Sequence, residues 1–278
     1  MSYGFMQKTK GFRIGANPLY PPWVFCLLGG MLFWGLTLQA VPPPTGVAPV
    51  LVPSGGFSID GDLQANTPVT GAGDWLPGPT GAGGSVLDAT GAPLNPATTF
   101  HFTDKYNDAG DNTFGGGLKW TDDPNLWQWT TSKASSKTDI NNVLIHITTD
   151  ASGHVWVIVA ADRFSNSGDS YIDFEFLQNK LTLNANGTFT SAGTNGGRTA
   201  NDLLLSLDFA SGGSVPDFTA WRWQTNSSLG GFTYFDTTAA VPAGRVFGAA
   251  SPANTSVPFG RSAQPPMGLT SSSRPPSI

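Results

Sequence analysis

Asp173 and Glu175 stand two residues apart in Ser170-Tyr-Ile-Asp-Phe-Glu-Phe-Leu-Gln178, a stretch that alternates apolar and polar side chains. On a strand, residues i and i+2 share a face, with side chains ~6–7 Å apart. Two carboxyls at that separation could divide general acid and general base between them, as in glycoside hydrolysis. Paired acids on the solvent face of a strand explain the same pattern, and that reading is preferred. Glu175 is the only Glu among 19 acidic residues. A two-Glu arrangement of the sandwich-glucanase kind is therefore impossible here. The chain reads as non-enzymatic.

Asp104, Asp108 and Asp111 form the densest acidic stretch, Asp104-Lys-Tyr-Asn-Asp-Ala-Gly-Asp-Asn112, with Asp122-Asp123 shortly after. Calcium takes six to eight oxygens from carboxylates, amides and main-chain carbonyls, often in a Gly-containing loop. The three Asp are the candidate ligands of a structural calcium. The regular calcium-loop spacing, with its closing Glu, is absent, and an ordinary Asp/Asn turn accounts for the composition. No cofactor is required by any motif.

Trp127 with Trp129, and Trp221 with Trp223, share strand parity within each pair. Exposed indole faces stack on the apolar faces of sugar rings, and Arg163 could orient such a ligand. Core packing is the competing reading, because Trp is usually well buried. Arg163 follows Asp162 and precedes Asn166-Ser-Gly-Asp169, so an Arg–carboxylate fork pinning the connection competes with a ligand role. The three His, His101, His146 and His154, show no metal-ligand spacing, and a zinc site is not expected. There is no Gly-x-Ser-x-Gly elbow. Gly115-Gly-Gly117 lacks the Lys-Ser/Thr of a phosphate loop, so nucleotide binding has no support and no nucleotide is expected. The 14 basic residues are scattered without a stripe, which argues against nucleic acid.

These residues must be positioned by turn-rich elements. Of 278 residues, 35 are Gly and 22 are Pro, about a fifth, while charged residues make only 12%. That composition excludes a helical bundle or coiled coil and points to many short strands. Residues 1–22 carry Lys8, Lys10 and Arg13 and no acid, and 23–38 are uncharged and apolar. A basic region, an apolar core and a small residue at Ala40 describe a signal peptide over 1–40. An uncleaved anchor is the alternative, and the only expected contact with a membrane. Either reading sends the chain outside the cell, secreted or at the surface. Without 1–40 the chain has 11 basic and 19 acidic residues, a net charge of −8, and loses Cys26, its one Cys.

Residues 41–56 are Pro/Gly-rich and read as a linker. The folded domain is expected over 57–247, opening on strand 57–63, followed by a long surface excursion at 66–98. Strand signals cover 99–103, 142–149, 154–162, 170–178, 181–183, 188–190, 202–209 and 218–224. Segment 154–162 is apolar on both parities and reads as a central strand covered on both faces. The expected fold is an all-β antiparallel sandwich of the jelly-roll kind. Residues 248–278 read as a disordered tail.

Three stretches carry a resemblance: Phe57-Ser-Ile-Asp-Gly-Asp-Leu63, the segment 161–179 from Ala161-Asp-Arg-Phe-Ser-Asn to Phe176-Leu-Gln-Asn179, and Asn201-Asp-Leu-Leu-Leu-Ser-Leu-Asp-Phe-Ala-Ser-Gly-Gly213. Over 57–225 the chain is similar to secreted and surface β-sandwich proteins of bacteria whose function is uncharacterised. It is distantly similar to jelly-roll sugar-binding domains. The resemblance implies fold and export and carries over no site residue. Such proteins continue with further strands where this chain becomes Pro/Ser-rich after Phe259. That implies a sandwich incomplete at its C-terminal end, with an exposed edge that favours association. The expected activity is binding of an extracellular glycan or a surface protein. A structural or adhesive surface component with no small-molecule site is the alternative, and a glycoside hydrolase ranks below both.

Overall fold

The structure is a computed structural model and describes residues 2–6, 50–51, 57–59, 63–65, 73–78, 83–105, 107–115, 121–150, 152–163, 170–210, 215–242, 245–250 and 267–273. The apolar segment 23–38 lies outside the described residues, as do 60–62, 66–72 and 251–266. Among the described residues no helix is long and apolar enough to cross a membrane.

Among the described residues the regular elements are nearly all strands: β1 (Ser2–Met6), β2 (Val50–Leu51), β3 (Ser58–Ile59), β4 (Gly73–Asp74), β5 (Gly84–Ser85), β6 (Thr99–Thr103), β7 (Asn112–Phe114), β8 (Trp129–Thr131), β9 (Asn142–Thr149), β10 (Val155–Arg163), β11 (Ser170–Leu177), β12 (Leu181–Leu183), β13 (Phe189–Ser191), β14 (Leu203–Ala210), β15 (Val215–Asn226), β16 (Gly231–Asp236), β17 (Val246–Ala250) and β18 (Met267–Ser273). One five-stranded sheet has the order β1-β11-β14-β15-β16 and a second the order β17-β18-β10-β9-β6. Every neighbouring pair in both sheets is antiparallel. The pairs β2–β3, β7–β8 and β12–β13 are antiparallel and β4–β5 is parallel.

Strand alternation explains how the layers form. From β9 and β10, Ile145, Val157, Val159 and Ala161 enter one core together with Ile172, Phe174, Leu205, Leu207 and Ala220 of the other sheet. Residues of opposite parity, Leu144, Trp156, Ile158 and Ala160, enter a second core with Phe57, Leu63, Trp75, Leu76 and Leu87. Strand β10 is therefore covered on both faces, as its unbroken apolar run demands. On the outer face of the first sheet, Leu204, Trp223 and Tyr234 form a third cluster.

Three segments outside the legible strands contribute to the sheets and cores. The stretch 66–98 is only partly a surface excursion where it is described: residues 94–97 are exposed, but others enter the core. Trp75 and Leu87 are wholly buried, because loops around β4 and β5 cover the apolar outer face of β9 and β10. Within the expected linker, β2 pairs with β3. Within the expected disordered tail, β18 lies between β10 and β17, supplied from beyond the last legible alternation. Backbone pairing needs no apolar pattern, which is why the Ser-rich segment 267–273 gives no strand signal.

The β9–β10 hairpin is closed by Asp150. Its carboxylate accepts from the main-chain N–H of Ser152 at 2.8 Å and of His154 at 2.9 Å. It also accepts from the Trp156 indole at 3.0 Å, and the His154 ring lies at 3.1 Å. Gly153, at φ +79°, completes the turn. These hydrogen bonds, the Trp156 bond foremost, hold the Asp150 carboxyl at about 2. A carboxyl depressed on folding stabilises fully above its unfolded value of ~3.9, and that contribution is lost as pH falls toward 2. Asp150→Asn is expected to weaken the loss of stability between pH 5 and pH 2, measured by urea unfolding at each pH. An unchanged acid dependence in the variant would refute this role.

Candidate functional site

On β11, Ile172 and Phe174 face the core between the two large sheets, so Asp173 and Glu175 face outward. That face is not solvent-exposed, contrary to the sequence expectation. Asp173 is 2% exposed and Glu175 4%. A cover built from β7, β8, β12, β13 and the loops 121–128 and 192–202 lies over it. The Ser206 hydroxyl donates to Asp173 at 2.6 Å.

Glu175 receives Arg198, which is fully buried. Arg198 Nε donates to Glu175 Oε1 at 2.5 Å, and Arg198 Nη1 donates to the Asp122 carbonyl at 2.7 Å. The Tyr234 hydroxyl donates to the same Glu175 oxygen at 2.6 Å. The Arg198 guanidinium carbon sits 5.4 Å from the Trp127 ring centroid, 4.9 Å from Trp223 and 5.1 Å from Tyr234. Three aromatic faces thus surround one cation, a desolvated geometry in which cation–π attraction is strongest. Burial pushes the Glu175 carboxyl upward, while Arg198 and the Tyr234 hydroxyl pull it back. The Arg198 guanidinium, which does not lose its proton, is the charge paired with the Glu175 carboxylate. The same environment raises the Tyr234 phenol well above 10.

The turn Gly193-Thr-Asn-Gly-Gly197 delivers Arg198. Gly196 and Gly197 hold φ of +66° and +72°, a region that favours glycine. A Cβ on Gly193 would lie 2.5 Å from the Arg198 Cα, so the strap closes only without a side chain there. Asp202 fixes the far end, its carboxylate accepting from the main-chain N–H of Thr199 at 2.7 Å and of Gln178 at 2.9 Å.

Trp127 and Trp223 belong to this cluster. Trp127 is 2% exposed and meets Phe114 and Phe189 edge to face; Trp223 is 4% exposed, stacks on Phe232 and donates to the Asn195 carbonyl at 2.8 Å. Neither ring offers a face to a sugar, so for these two the core reading replaces the platform reading. Trp129 and Trp221 are half-buried, and the Trp129 indole donates to the Asn184 carbonyl at 2.9 Å. The parity pairs are therefore split, one member inside and one near the surface. Arg163 is buried at the end of β10, and burial lowers its guanidinium. Its neighbour Asp162 accepts from the main-chain N–H groups of Asn141 and Asn142 and from the Asn142 amide, which fixes the start of β9. Asn166 and Asp169 lie outside the described residues.

The acidic loop is placed differently from expectation. Asp108 turns onto its own loop, accepting from Gly110 N–H at 2.7 Å, and Asp104 accepts from Lys105 N–H at 2.8 Å. Asp111 is 3% exposed, and its charge is felt with those of Asp104 and Asp139. Burial first, then those two carboxylates, raise the Asp111 carboxyl to about 6. Among the described residues no three acidic or His side chains are grouped tightly enough to clasp a metal ion.

Arg198, Tyr234 and Asp139 escape the sequence reading. A lone Glu on an apolar strand calls for a buried cation, and Asn195-Gly-Gly-Arg198 is a tight turn ending on one. Comparison with known protein families, curated proteins and solved structures finds no match to the chain.

Proposed function

We propose that the chain is an exported structural or adhesive component of a cell surface, an all-β sandwich whose outer surface meets a macromolecular partner. One observation carries this reading. The residues best suited to gripping a small ligand, Trp127, Trp223, Arg198 and Glu175, are packed against one another beneath the cover. They hold a layer in place. Asp173 and Glu175 are likewise engaged by Ser206, Arg198 and Tyr234, which supports a non-enzymatic role. The core shared by the two five-stranded sheets supports the sandwich, and the jelly-roll connection is proposed with it. The basic and apolar segments before Ala40 support export.

Extracellular glycan binding is the second reading, favoured by Trp129 and Trp221, which keep part of their rings accessible. A glycan array probed with the folded full chain separates the two. The structural reading expects no saturable glycan and recovery of the protein in the envelope or medium on cell fractionation. Saturable binding that Trp129→Ala or Trp221→Ala weakens at least tenfold favours the glycan reading instead. Recovery in the cytosol alone overturns both.

A further inference from the structure

We propose that Asp111 and Asp139, with Asp104 beside them, bind one hard divalent cation of the calcium class where the end of β6 and the starts of β7 and β9 meet. Three chain segments are tied together there. Asp104 N–H donates to the Asn141 carbonyl at 2.7 Å, Asn107 N–H to Asp139 Oδ2 at 2.8 Å, and Ser132 N–H to the Asp111 carbonyl at 2.8 Å. Asn107 adopts φ +55° to make its bond, so the loop bends onto Asp139.

The observation that points to a ligand is separate from the clustering. Asp111 is 3% exposed and Asp139 1%, and on each the Oδ1 oxygen is buried without any hydrogen-bond donor. Buried carboxylate oxygens almost always have a partner, because leaving one bare costs its full desolvation. Both carboxylates lie within electrostatic reach of Asp104, and Asp111 is within reach of Asp139. The nearby cations do not fill this role. Lys105 and Lys133 are exposed, and Lys105 Nζ is hydrogen-bonded to the Gly110 carbonyl at 2.5 Å.

The donors are carboxylate oxygens with no Cys or His among them, which selects a hard cation over zinc or copper. Two carboxylates are few for calcium, so main-chain carbonyls and water complete the six to eight oxygens it takes. This ligand pair keeps Asp111 of the three sequence candidates, leaves the exposed Asp104 nearby and Asp108 committed to its own turn, and adds Asp139, which is 28 residues beyond Asp111 in the chain.

The test uses the full chain stripped with EDTA and titrated with calcium chloride in a calorimeter. The expected result is saturable binding near one ion per chain. At calcium 100-fold above its dissociation constant, the thermal midpoint rises about 5–10 °C over the EDTA sample. Asp111→Asn and Asp139→Asn, both near-isosteric, each weaken binding at least tenfold, while Asp108→Asn leaves it unchanged. Absence of saturable heat and of a midpoint shift in the wild-type chain overturns the site, and means that water or a proton satisfies these oxygens. Wild-type affinity in either Asp111→Asn or Asp139→Asn overturns it as well.

Discussion

Replacing Arg198 by Met lowers the unfolding free energy by about 3–5 kcal/mol, because it strands Glu175 as a buried charge without its partner. Met occupies much of the space among Trp127, Trp223 and Tyr234, so the loss reports charge more than volume. Glu175 would keep only the Tyr234 hydroxyl among its hydrogen bonds described above. The double variant Arg198→Met with Glu175→Gln is expected to lose clearly less than the sum of the two single changes, since contacting residues are not additive. Denaturant unfolding of the three variants measures this. A single Arg198→Met variant within about 1 kcal/mol of the wild type would show that water reaches Glu175 and that the cluster is not a sealed ion pair.

Trp223→Ala is expected to cost about 3–5 kcal/mol, the range for deleting a large buried aromatic. The ring is 4% exposed, contacts Phe232, Tyr234 and Arg198, and donates to the Asn195 carbonyl. Its removal opens a cavity under the strap 193–202 and leaves Arg198 with two aromatic faces instead of three. Trp129→Ala, at a half-buried position, is expected to cost less. The comparison also bears on function. A Trp kept for a ligand and not for packing can be removed with a change within about 0.5 kcal/mol, as at ordinary surface sites. Thermal or denaturant unfolding of both variants decides it, and a Trp223→Ala protein as stable as the wild type would return Trp223 to the candidates for sugar stacking.

Most strands from 99 to 224 were legible because their signal is local, whereas the three-residue β7 and β8 gave none. Segments 99–103, 142–149 and 181–183 coincide with β6, β9 and β12; β10, β13 and β14 are each displaced by one residue at both ends, and β11 ends one residue earlier. Alternation in 170–178 correctly separates Ile172 and Phe174 from Asp173 and Glu175. What alternation cannot say is what lies over each face. A polar face reads as solvated unless a distant segment is known to cover it, and the cover over Glu175 comes from residues 112–115, 121–131 and 181–202. The same limit explains Trp75 and Leu87, isolated apolar residues among Gly and Pro whose burial depends on the outer face of β9 and β10.

The candidate ligands show this at single positions. Asp104 and Asp111 lie seven residues apart and were found together. Asp139 joins them only because Asp104 pairs its backbone with Asn141. Parity places Trp127 and Trp129 on one side of a strand, but Trp127 precedes β8 and turns into the cover, so parity did not apply to it.

By itself the sequence determined that this is an all-β chain with few charges, a single Glu and many turns, because propensity and period-two alternation act within a few residues. Only the tertiary structure decided that Glu175 is an interior anion held by Arg198, that two of the four candidate Trp are core, and that Asp139 stands beside Asp111. Each of these depends on burial and on contacts between segments far apart in the chain. A side chain's type states what it can do, and the surfaces folded over it determine whether it is spent on holding the structure or left free to meet another molecule.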